Sequence, residues 1–250
     1  MAWRILFSAG LMWLAARGKV RSFATIFWQH RLLLLVFGAC MAAMNLFFYL
    51  AIARIPLGAA VAFEFIGPLS VAAFNSRRIS QFFWIAVAAT GIILLSPISG
   101  AELDSLGVFF ALLAGTGWAT FIVLAGRVGE KVPGNDGLAI GMMVSAVIML
   151  PFAIPVAGTL FSQPWILASA LAVALLSTTL PFILEFEALR QLSKRAYGVL
   201  VSLEPAVAAV VGAVILSENI GARGVLAVSC VVAAAIGITL AENRSSTTPS

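Results

Sequence analysis

The chain has 250 residues, 62% hydrophobic and only 10% charged, with a mean hydropathy of +1.09. A soluble domain carries about 25% charged residues, so the composition excludes a soluble enzyme or a nucleic-acid-binding module and points to a bundle of membrane-spanning helices. The formal charge of +5 does not alter this, because Lys and Arg stand singly or in pairs between apolar segments instead of forming a phosphate-binding patch.

Roughly nine apolar segments can be marked in chain order, and none shows the polar/apolar alternation of a barrel strand. The first, residues 2–16, carries Arg4 near its start and has no A-x-A cleavage pattern after it, so it reads as a short helix more than as a signal peptide. A basic loop with His30 leads to the second segment, 32–53, where Asn45 lies deep; its amide either joins helices or touches a solute. The third, 55–75, places Glu64 near its middle and Pro68 four residues later. Segments 80–97 and 106–126 follow with Trp84 and Trp118, expected as packing or interface residues, and segment 136–158 opens with Gly137 and Gly141 at close-packing spacing.

The seventh segment, 164–190, starts beside Trp165 and contains Pro181, Glu185 and Glu187. The two carboxylates are two positions apart and face different sides of a helix. Glu187 precedes Arg190 by three residues, as in a solvated ion pair, which leaves the deeper Glu185 as the site candidate. In the eighth segment, 194–216, Glu204 directly precedes Pro205, and the ninth is 221–241. Cys40 and Cys230 both fall in apolar stretches and read as small packing residues.

An ionised carboxylate in mid-membrane costs roughly a few kcal/mol, so such a group holds a proton readily and suits a proton carrier. Glu64, Glu185 and Glu204 are therefore candidates to bind protons or solute, with Asn45 as a neutral partner. The alternative is a protonated glutamate bonded to a carbonyl that a nearby proline has freed. Pro68, Pro181 and Pro205 each remove a backbone donor, and the resulting kinks either open carbonyls to a cavity or only shape the helix.

Twelve of the fifteen cations fall in the loops after odd-numbered segments and in the tail, and only Arg4, Arg54 and Arg223 fall on the other side. The positive-inside rule then makes the C-terminus cytoplasmic. Nine helices with that orientation would begin outside. An upstream helix is expected before Met1, the alternative being a nine-helix protein inserted with its N-terminus outside. A weak repeat favours the former: Glu64 with Pro68 and Glu204 with Pro205 each precede a helix with a late glycine, Gly91 or Gly237. Restoring one helix gives two halves of five, and an odd number per half inverts the second relative to the first. The organisation read from this is a first repeat over 1–98, a second over 106–241 and a disordered cytoplasmic tail over 242–250. HExxH, G-x-S-x-G, P-loop and metal-spaced carboxylates are all missing, so no enzyme and no cofactor is expected.

Residues 54–69, Arg-Ile-Pro-Leu-Gly-Ala-Ala-Val-Ala-Phe-Glu-Phe-Ile-Gly-Pro-Leu, with Asn-Ser-Arg-Arg at 75–78, resemble the EamA-type drug/metabolite transporter superfamily, and most closely its threonine/homoserine exporter group. The likeness continues through Leu-Ser-Thr-Thr-Leu-Pro-Phe at 176–182 and Gly-Val-Leu-Val-Ser-Leu-Glu-Pro-Ala-Val-Ala-Ala at 198–209. It implies an all-α, inner-membrane protein of ten helices in two inverted five-helix repeats around a central cavity, with cytoplasmic termini. It also implies export of amino acids or related metabolites in exchange for protons. The family's first helix has no counterpart here, and residues 2–16 match its second.

Overall fold

The computed structural model describes residues 1–15, 20–74, 79–95, 103–132, 135–158, 164–191, 207, 211, 214–215 and 221–243. All regular structure among them is helical: α1 (Ala2–Ala15), α2 (Val20–Gln29), α3 (Arg31–Ile52), α4 (Leu57–Glu64), α5 (Ile66–Phe74), α6 (Ile79–Leu95), α7 (Ser105–Lys131) and α8 (Asp136–Ala153). A 3-10 turn (Ile154–Val156) follows, then α9 (Pro164–Ala174), a π turn (Leu175–Thr179), α10 (Leu180–Gln191) and α11 (Gly221–Asn243). Residues 31–52, 105–131, 136–153 and the run 164–189 through the π turn are long and apolar enough to cross a membrane. Phe74, Leu32 and Val147 expose most of their surface, which suits lipid and would be costly in water.

Three departures from the sequence reading have local causes. Part of the basic loop is helical, because Phe23 in α2 is buried and gives a short polar segment an apolar anchor. The third segment is two helices, broken at Phe65. The seventh is interrupted by the π turn. The segment 194–216 lies outside the described residues except for Val207, Val211, Val214 and Ile215. The last helix runs to Asn243, two residues into the stretch read as tail.

The helices form two units, Met1–Ala43 with Thr120–Gln191 and Met44–Ala119 with Leu192–Ser250. Each draws on both sequence halves. In the first, α1 packs along α8 and against α9 and the π turn. Its aromatic core stacks Phe37 on Phe121 at 5.4 Å between ring centroids, and Phe121 meets Phe182 edge-on at 5.6 Å. Gly141 makes room for this core, since a Cβ there would lie 2.6 Å from the Phe37 ring. In the second unit α6 packs along α11, where Gly237 accepts the Trp84 ring. A small-residue cluster of Ala51, Ala59, Ala60 and Ala111 with Ile55 and Phe63 joins α3, α4 and α7 there.

Candidate functional site

In the second unit the chain breaks beside Glu64, and the cause is readable. Proline lacks the N–H that would bond the carbonyl four residues back, so Pro68 deprives the Glu64 carbonyl of its helical donor. Phe65 takes up the break as a turn residue, its own N–H still donating to the Val61 carbonyl at 2.9 Å. Glu64 thus sits at the C-terminal end of α4, half-buried, within the shorter apolar stretch Ala59–Val71.

Glycines of α7 allow backbone to approach this break. A Cβ on Gly115 would lie 2.5 Å from the Glu64 carbonyl oxygen, and one on Gly67 would strike Gly115 itself. Two residues on, Gly117 abuts Met44 of α3, its would-be Cβ only 3.1 Å from the Met44 Cα. Asn45, buried at 8% exposure, is the next residue on α3. Glu64 and Asn45 therefore flank the same short stretch of α7. Trp118 closes the stretch by meeting Phe65 edge-on at 6.0 Å. A titratable carboxyl and a neutral amide so placed can exchange a proton and hydrogen-bond a small polar solute.

Glu185 belongs to the first unit, in α10. It is half-buried and lies about 60° round the helix from the core residue Phe182, four residues before the end of the apolar span at Leu189. Glu187 accepts a hydrogen bond from the Gln191 amide. The Arg190 side chain lies outside the described residues, as do Glu204 and Pro205.

Pro181 has an effect at Ser177, the residue whose carbonyl it leaves without a helical donor. The backbone widens there into the π turn, with the Leu180 N–H reaching the Leu175 carbonyl. Arg4 of α1 supplies donors instead, its Nη1 bonding the Ser177 carbonyl at 3.2 Å and the Ser177 hydroxyl at 3.0 Å. One turn along α1, Ser8 lies 2.8 Å from the Thr179 hydroxyl. The sequence reading marked Pro181 and missed this polar group; the Ser-Thr-Thr run ending two residues before a proline in an apolar stretch was its available signal.

The profile of the EamA-like transporter family matches residues 105–240. The threonine/homoserine exporter RhtA of Salmonella typhimurium is 41% identical over 218 residues, 86% of this chain and 74% of the exporter. The protein of the same name from Escherichia coli is 40% identical over 220 residues, 87% and 74% of the two chains. A crystal structure of another protein superposes with a TM-score of 0.67, covering 97% of this chain and 88% of that one at 17% identity, which is a likeness of fold alone.

Proposed function

Since the chain belongs to the EamA-like transporter family, we propose that it is a secondary transporter exporting small neutral amino acids such as threonine and homoserine, driven by proton antiport. Similarity to the RhtA exporters over most of the chain carries this reading. The family is one of multi-pass membrane exporters, not of enzymes, and the bacterial inner membrane with a cytoplasmic C-terminus is the setting proposed here.

In the mechanism we infer, the solute site is exposed alternately to the two sides as two inverted repeats, 1–98 and 106–241, exchange conformation. Glu64 binds a proton from the outside and gives it up inside, and Asn45 hydrogen-bonds the solute. The break at Phe65 supports this role, since a discontinuous helix offers backbone groups as well as a carboxyl at membrane depth. Glu185 and, by its place in the repeat, Glu204 are further candidates for proton or solute contact; Pro205 would act as Pro68 does. Purified protein in liposomes should move threonine and homoserine well above protein-free vesicles. Flux of drug-like cations or nucleobases with none of either amino acid would favour another solute class of the same family.

A further inference from the structure

We infer that α2 and the first turns of α3 form a binding surface for anionic phospholipid, with Arg31 at the headgroup and the exposed strip Leu32, Leu35 and Val36 along the acyl chains. The surface belongs to the first unit and needs no assumption about the exported solute. Arg31 opens the 22-residue apolar helix α3, so α2, directly before it, stands at the boundary between membrane and water. The short helix has two unlike sides. Phe23 is buried, and Ile26, Phe27 and the following His30 are half-buried at the spacing of one helix face, by which α2 packs against α8. The other side carries Ala24, Thr25, Trp28 and Gln29, all exposed, with 67% of the Trp28 surface open.

An open indole on a short helix at this depth suits a bilayer interface, where tryptophan concentrates. The strip continues into α3, where Leu32, Leu35 and Val36 follow the exposed Arg31 at helical spacing and are themselves exposed. A cation at the head of an apolar strip fits an amphiphile with an anionic head and acyl chains; free phosphate would leave the strip uncovered. Charge is one-sided here, since no Asp or Glu precedes Glu64 in the sequence. Arg21 stands in the first turn of α2, seven residues before Trp28 and so on the same side of the helix by position. Phe37 of α3 meets both Gly141, near the start of α8, and Phe121, in the later half of α7, so α7 ends and α8 begins at this same end of the unit. Arg127 and Lys131 are exposed there, and Glu130 and Asp136 offset them on α7 and α8. No carboxylate stands on α2 or on the first turns of α3. A basic residue beside a span favours anionic over neutral lipid by about fivefold.

The test places the full chain in bilayers of phosphatidylcholine and phosphatidylglycerol in equal amounts, with bromine on the acyl chains of one lipid or the other. Bromine quenches nearby tryptophan, and the difference between wild type and Trp28→Phe isolates the Trp28 emission. Quenching of that emission should show about fivefold preference for phosphatidylglycerol at low salt, falling towards parity at high salt. Arg31→Gln combined with Arg21→Gln should abolish the preference and Arg31→Lys should keep it. Arg54→Gln, beyond the far end of α3, should leave it unchanged. If the double variant does not fold, Arg31→Gln alone takes its place, with a lowered preference expected. Equal quenching by the two lipids in wild type, quenching by neither, or a preference that survives in the folded arginine variant overturns the proposal.

Discussion

Two carboxylates in this chain show how surroundings assign roles. Asp104, ahead of α7, accepts from the Arg54 Nη1 at 2.8 Å and from the Leu106 N–H at 2.9 Å, and these bonds hold its carboxyl below the usual carboxylate range. A depressed value means that the pair stabilises the fold above about pH 4 and that this contribution fades as pH falls through the folded value. Wild type should therefore melt above Asp104→Asn at pH 7 in detergent, and the gap should close below about pH 4 and shrink in high salt, because both groups are open to solvent. A gap independent of pH would assign the effect to something other than the charge. Glu64 is half-buried at the end of α4. The break beside it has a local cause that the sequence carries, since the proline that frees the Glu64 carbonyl is only four residues away. The partner that approaches it, Gly115, was not legible, since nothing in a single sequence pairs positions 64 and 115.

At the scale of elements, close approaches govern stability. Gly115→Ala would push a methyl against the Glu64 backbone, whereas Gly126 in the same helix has nothing within 4 Å of an added Cβ. Gly115→Ala should destabilise by about 1–3 kcal/mol and Gly126→Ala should be neutral or gain up to about 1 kcal/mol, as read by unfolding in detergent. Equal effects at the two positions would mean that the α4–α7 approach is not close. Apolar length marked most of the helices correctly, but it overran the break at Phe65 and the π turn. Hydropathy is insensitive to one widened turn, since Leu175 and Leu176 look the same in either ladder. The π turn owes its form to Pro181 together with Arg4, and the second of these lies far away in sequence. Pro181→Ala should restore a regular helix and release Arg4 from the Ser177 carbonyl, seen as slow exchange of the new amide at position 181 and greater protection of the amides on either side; a fast-exchanging amide there with unchanged neighbours would assign the turn to packing alone.

For the whole molecule, charge bias makes a topological prediction. With Cys40 and Cys230 replaced by Ala, a cysteine placed at Ser246 should react with a membrane-impermeant maleimide only after the cytoplasmic face is opened. Labelling in intact cells would reverse the orientation. The central claim is proton-coupled export through Glu64, and one measurement tests it most directly: efflux of radiolabelled threonine from liposomes with an acidic exterior, comparing wild type with Glu64→Gln at equal protein. The account predicts that acid outside accelerates wild-type efflux, and that the variant still exchanges threonine for threonine but no longer responds to the gradient. Gradient-driven efflux by Glu64→Gln at the wild-type rate would contradict it.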